Sequence, residues 1–376
     1  MGNYKRIITG LLIALLCFSL VGCKGNDSKE TVGEKKPYKI GLLTPTLSFS
    51  EDEYKAAEKV AKKYEGIVKH VTLPDDFAKE QETGMTQITS FADDPDVKAI
   101  VICYGEAGIL PAIQKVKEKR PDILVVTAPI WDDPDAMTKY VDLALDTDWI
   151  KRGETIAQKA KKMGAKTLLH YSFPTHMSME EKVARRDVMK STAEKIGLKF
   201  AEVTTPDPYV TGDPATAQFV KEDIPKQITK YGKDTAIFGT YCGMQDVIIG
   251  NALKHKYIVA EQCCPTPTQG FPAGMNLKIG KEDAGDFKKI NKMISEKAKE
   301  EGMTGRLSTW PVPVTVYFPQ FSVEATIKIL NGELKVEDKE GLEKLAKEVS
   351  GVDVKFTQLK EGVKNYYLMI MDSIIY

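Results

Sequence analysis

The sequence predicts an α/β protein of two lobes, each built around a parallel sheet. Short apolar runs alternate with stretches whose apolar residues recur at helical spacing, the pattern of β-α-β units. That alternation runs once to about residue 147 and then restarts. The 376 residues are also too many for one core and suit two.

In order, residues 38–43 read as a strand, and 51–64 follow with Tyr54, Ala57, Val60 and Ala61 at helical spacing. Residues 67–73 form the next strand and 77–91 the next helix. Stretch 96–103 is apolar at nearly every position after Asp96, as a parallel strand covered on both faces should be. Helix 107–119, strand 123–127 and short strand 140–145 complete the first run, with right-handed crossovers. The second run holds helix 147–163, strand 166–171, long helix 178–196, strand 199–204, helix 216–231, strand 235–239, helix 244–255 and strand 257–261. Beyond it, helices 283–301 and 321–330 flank a strand-like stretch at 307–316. Segment 362–376 is apolar but too short to span a bilayer, and is expected as a buried strand or helix on the second lobe. The expected boundaries are 38–147 plus about 317–334 for the first lobe, and 148–316 plus about 335–376 for the second.

Composition is that of an ordinary globular protein, 42% hydrophobic and 28% charged. Lys plus Arg equals Asp plus Glu at 53 each, so no bulk positive field exists to hold nucleic acid. The informative asymmetry is N-terminal. Lys5 and Arg6 precede an apolar run over 7–20, the pattern of an export signal over 1–22. It ends in Leu20-Val21-Gly22-Cys23, which matches the bacterial lipobox, so Cys23 is the expected site of lipidation, including palmitate. Two acyl chains give stable anchoring where one is marginal. Residues 23–37, lipidated Cys included, form a polar tether that cannot bury enough surface to order itself. The expected location is the extracytoplasmic face of the cell membrane, away from cytoplasmic ATP and NAD, and no cofactor is expected.

Catalytic signatures are missing. The chain has no G-x-S-x-G, no H-E-x-x-H and no G-x-x-x-x-G-K-[ST], and its four His lie at 70, 170, 176 and 255. The pairs Asp93-Asp94 and Asp132-Asp133 precede prolines and suit turns or caps. An enzyme is therefore not expected. With Cys17 in the signal and Cys23 lipidated, Cys103, Cys242, Cys263 and Cys264 remain, each at or just past a strand end. They are expected to act as small buried hydrophobes. Two alternatives stand beside this: a disulfide, with three complete pairings open, and a soft-metal or metal-cofactor site assisted by His176 or Met244. The spacings match no zinc module.

The order of elements resembles type I periplasmic binding proteins, the substrate-binding components of ABC transporters. Three stretches carry the likeness: 97–128; Leu143-Ala144-Leu145-Asp146-Thr147-Asp148 followed by Gly153; and 323–333 with Ala325, Ile329, Leu330 and Gly332. Within that superfamily the chain is most similar to a functionally uncharacterised group of bacterial lipoproteins. The resemblance implies two Rossmann-like lobes joined by a multi-crossover hinge. It further implies a monomer that captures a small ligand by hinge closure and delivers it to an ABC permease. A sensory lipoprotein that signals to a membrane receptor would use the same cleft. Repressors of this bilobed fold carry an N-terminal helix-turn-helix, where this chain has a signal and a tether.

Ligands of open parallel sheets bind at the carboxyl ends of the strands. From the first lobe this selects Ser48, Phe49, Tyr104, Glu106 and Trp131 with Asp132, and from the crossover Asp146, Asp148 and Arg152. From the second it selects Ser172, Phe173, His176, Tyr209, Tyr241, Gln245, Gln262 and Cys263, with Trp310 and Thr315 near the second crossover. Asp146 also suits an N-cap for the helix that follows. Aromatic rings flanking a cleft suit a flat, nucleoside-like or sugar-like ligand. Sugar-binding members commonly carry an Asp near Cys263 and Cys264. A thiol cannot replace that bidentate carboxylate, which argues against a simple pentose or hexose.

Overall fold

The first sheet takes shape where the β-branched runs fall. In this computed structural model, which describes residues 38–376 except Lys281, Glu282 and Ala284, five strands lie parallel. Their spatial order is Val68–Thr72, Lys39–Thr44, Val97–Ile102, Leu124–Thr127 and Leu143–Thr147. The export signal, Cys23 and the tether lie outside the described residues. Ile100, Val101 and Ile102 are buried in succession because helices cover both faces. On one face pack Ala57, Val60, Phe321 and Leu342, and on the other Phe77, Ile88, Ile113 and Val116.

The far edge of this sheet corrects the expected boundaries. Tyr366–Met371 pairs parallel with Leu143–Thr147, and Val354–Gln358 closes the edge antiparallel to it. Helix Lys339–Ser350 sends Leu342, Leu345 and Ala346 into the same core. Segment 335–371 therefore belongs to the first lobe. Only the tip returns to the second: Ile374–Ile375 pairs with Ser308–Thr309, and Tyr376 is buried in the second core. Strand partners this distant in sequence are chosen by an open sheet edge, which local pattern does not show.

The second lobe centres on Thr167–Ser172, flanked by Lys199–Thr204 and Thr235–Gly239, all parallel. Single bridges continue the sheet to Ile258 and from Val259 to Leu307. Helices Arg152–Lys162 and Glu180–Lys195 cover one face through Ile156, Ala160, Met189 and Ala193. Helices Asp213–Tyr231, Gln245–His255 and Phe287–Glu300 cover the other. A Cβ on Gly153 would lie 2.3 Å from the Arg185 carbonyl, so the first pair of helices meets backbone to backbone there.

The chain crosses between lobes three times: between Thr147 and Arg152, between Thr309 and Val314, and between Met371 and Ile374. At the second crossing the expected strand-like stretch 307–316 is a strand only at Ser308–Thr309, and its end is the start of helix Val314–Leu330, which packs on helix Glu51–Lys63. Pro313 stands at its N-cap position, and burial of Tyr317 and Phe318 overrides the β preference of Val314, Thr315 and Val316. No helix among the described residues is long and apolar enough to cross a membrane.

Candidate ligand cleft

A groove of about 700 Å³ opens between the lobes where helix Glu51–Lys63 begins. Glu51, Asp52 and Lys55 line it from the first lobe, and Thr268, Ile279 and Phe287 from the second. On the first lobe, the loop after Lys39–Thr44 is pinned by Thr46 and Ser48, both of which donate to Asp75, Ser48 at 2.9 Å. That loop presents Phe49, which is 49% exposed and packs at 6.0 Å on Tyr104. Tyr104 itself is buried, held by Phe77 and by donation to the Pro74 carbonyl at 2.6 Å. Trp131 is 60% exposed and lies over Gly105, where a Cβ would come within 3.1 Å of the indole. The Trp131 amide donates to the carbonyl of half-buried Glu106. Asp132 is a cap: its carboxylate accepts from the amides of Gly108, Ile109 and Leu110.

On the second lobe, Phe173, His176, Tyr209 and Tyr241 form one aromatic cluster. Phe173 stacks on His176 at 4.0 Å, and the tyrosine rings stand 6.2 Å apart. Ser172 and His176 both bond Thr240 Oγ1 at 3.0 Å. Burial, then Lys182 and Arg185, pushes His176 down to about 4, so the ring is neutral. Asp207 accepts from Thr175 and from the Tyr209 amide, which fixes the turn that leaves Tyr209 62% exposed. Tyr241 donates to Asp213 at 2.7 Å.

Several expected ligand residues have other duties. Arg152 is fully buried and saturated: Nε donates to Glu261 Oε1 at 2.8 Å, Nη1 to the Cys263 carbonyl and Nη2 to the Gln262 carbonyl, both at 2.7 Å. Its guanidinium lies 5.1 Å from the Trp149 ring and 5.6 Å from that of Trp310. Glu261 also accepts from Ser373 at 3.0 Å. Residues of all three crossovers thus meet at one buried ion pair, and Arg152 and Trp310 are hinge residues rather than cleft surface. Gln245 is buried, bonding the Gly239 and Tyr241 carbonyls, and Gln262 is buried, bonding those of Thr266 and Gln269. Asp146 accepts from the Thr147 amide, and burial pushes it up to about 7. Asp148 accepts from the Lys151 amide and from Thr357.

Two acids went unselected. Burial pushes Glu53 up to about 7, and Asp52 is raised for the same reason. The spacing of Glu53, Ala56, Ala57 and Val60 places that carboxyl on the buried helical face, a signal readable in the sequence. Arg185 is likewise buried, on the face shared with Met189 and Ala193.

The cysteines divide. Cys103 is buried in the first core, as expected of a small hydrophobe. Cys242 and Cys264 are instead exposed and meet buried Cys263: Cys242 Sγ lies 3.3 Å from Cys263 Sγ and 3.7 Å from Cys264 Sγ. Hydrogen bonds from the other two thiols, with Arg152 and Arg185 nearby, pull Cys264 below the ordinary thiol range, while the same thiol contacts and burial push Cys263 well above it.

Residues 38–308 match the family model described as a protein of unknown function, DUF3798. The chain belongs to that family. The crystal structure of a Clostridium difficile 630 protein, named "Putative transcriptional regulator", is 38% identical, with a TM-score of 0.86 over 90% of this chain and 99% of that one. An uncharacterised protein of Treponema pallidum (strain Nichols) is 36% identical over 205 residues, covering 52% of this chain and 91% of its own. A sugar ABC transporter structure from Actinomyces odontolyticus ATCC 17982 is 13% identical at a TM-score of 0.52, over 80% of this chain and 86% of that one. That likeness identifies the fold of this family member as that of type I periplasmic binding proteins.

Proposed function

We propose that the protein captures a small, flat polar ligand between its lobes. The observation that carries this is the placing of exposed rings at strand ends of both lobes: Phe49 and Trp131 on one, Tyr209 on the other. Isolated exposed aromatics need no explanation, but rings at strand ends of both lobes, on turns fixed by Asp75 and Asp207 or laid over Gly105, suit stacking on a flat ligand. Three chain crossings let such lobes close as a hinge. The ligand class this favours is nucleoside-like or sugar-like, and the binding role is not enzymatic.

The lipobox at Cys23 supports anchoring at the outer face of the membrane, where a monomer would hand its ligand to an ABC permease. Replacing Cys23 by Ala should move the protein from the membrane to the soluble fraction. The name of the Clostridium difficile relative favours a second reading, a sensor whose closed form is read by another protein. Both readings need the same cleft. The test is tryptophan fluorescence titration against nucleosides, sugars and aromatic metabolites. One class should bind saturably, and W131A and Y209A should each weaken it about tenfold, roughly 1.4 kcal/mol. Equal affinity in both variants would remove the cleft from the account.

A further inference from the structure

We infer that Cys242, Cys263 and Cys264 form a binding site for one thiophilic divalent cation, held by three thiolates with a further coordination position open to solvent. The inference stands on the thiols alone and is independent of the organic ligand.

Three sulfurs each about 2.3 Å from a tetrahedral metal stand about 3.8 Å apart. The sulfurs here are separated by 3.3 Å and 3.7 Å, and all three lie within 4.8 Å of one another. Two separate segments supply them: Cys242 opens the turn after strand Thr235–Gly239, and the Cys263–Cys264 pair follows the hinge acid Glu261. No C-x-x-C spacing marks such a site, because the parallel fold and not a local loop brings the ligands together.

The surroundings hold the ligands in place before any ion arrives. Arg152 grips the carbonyls of Gln262 and Cys263, and the Gln262 amide bonds the carbonyls of Thr266 and Gln269. Gln269 Oε1 in turn accepts from the Cys263 thiol at 3.4 Å and the Cys264 amide at 3.2 Å. Outer contacts of this kind orient ligands and tune their basicity. Cys242 and Cys264 are exposed, so an ion can enter.

Charge selects the ion. Three thiolates and a divalent cation sum to −1, with the thiol protons released on binding. The charge of Arg152 is answered by Glu261, whereas Arg185 has no ion pair among the described residues, and its Nε lacks any partner. One cation without an ion pair among the described residues thus stands within electrostatic reach of Cys263 and Cys264, at a site that carries one net negative charge when filled. Sulfur donors exclude the hard ions calcium and magnesium and favour zinc or cadmium.

The test uses the full-length chain, reduced and kept anaerobic, titrated with cadmium and followed by thiolate-to-metal charge-transfer absorption. One equivalent should bind, a chelator should remove it, and bound metal should shield Cys242 and Cys264 from alkylation. C242S and C264S alter exposed positions and should each weaken binding at least tenfold, while C103A should not. Absence of a stoichiometric band would overturn the site. So would uptake unchanged in both exposed-thiol variants, since the metal would then sit elsewhere.

Discussion

Two arginines on adjoining helices are both buried and both lie near aromatic rings, but they differ in their polar partners. Arg152 has each guanidinium nitrogen answered by a carboxylate or carbonyl and lies near two tryptophan rings. Arg185, 3% exposed, lies 5.5 Å from the Phe238 ring with Nε unpaired, and burial, then the charge of Arg152, pulls it down to about 10. A buried charge without partners costs several kcal/mol. The satisfied arginine ties the crossovers together, and Arg185, with Nε unpartnered, acts electrostatically on Cys263 and Cys264.

The largest effect is expected at the hinge. Replacing Arg152 by Met leaves Glu261 buried without its counter-charge, and should cost about 3–5 kcal/mol in urea denaturation. A loss below about 1 kcal/mol would mean the ion pair does not hold the crossovers. Arg185→Met removes a buried charge that has no ion pair among the described residues, only the more distant Glu181, so stability should stay within about 1 kcal/mol of wild type or rise. Cadmium affinity should fall in the same variant although no ligand has been removed.

Glu53 extends the contrast to the first lobe. Its carboxyl rises from 4.5 to about 7 in the fold, so between those values the folded state holds a proton that the unfolded state has released. Its contribution is fully present below pH 4.5 and is lost as pH rises through 7, on the order of 3 kcal/mol. Asp146 has the same sign, and His170, pushed down to about 3, the opposite one. The difference between wild type and E53Q cancels both, and should show the slope of Glu53 alone. A flat difference across pH 4–8 would place that carboxyl in water.

The smallest structural effect belongs to the rim. W131A and Y209A remove exposed rings and should change stability by less than about 0.5 kcal/mol while weakening ligand. Stability losses as large as the hinge variant would make these rings packing elements.

Much of the fold and part of the cleft are legible in the sequence. Alternating apolar runs located the parallel strands, and the strand-end rule selected Phe49, Trp131 and Tyr209, the rings that prove exposed. The same rule selected Arg152, Gln245, Gln262 and Trp310, which are buried, because chain position at a strand end does not say which way a side chain turns. The placement of 354–371 on the first sheet depends on a partner more than 200 residues earlier in the chain. The thiol cluster was hidden for a related reason: Cys242 and Cys263 come together only once Thr235–Gly239 and the segment after Ile258 lie side by side. Helical spacing, by contrast, carries a signal that the strand-end rule does not use: Glu53 and Arg185 share their helix faces with the buried residues Ala57, Val60, Met189 and Ala193.

The claim that the lobes close on a small molecule is tested most directly by native mass spectrometry of the chain purified from its own host without refolding. The account predicts an added organic mass that is lost on denaturation and missing from a W131A/Y209A double variant. A bare chain that also binds nothing in the fluorescence panel, or an adduct retained by the double variant, would contradict it.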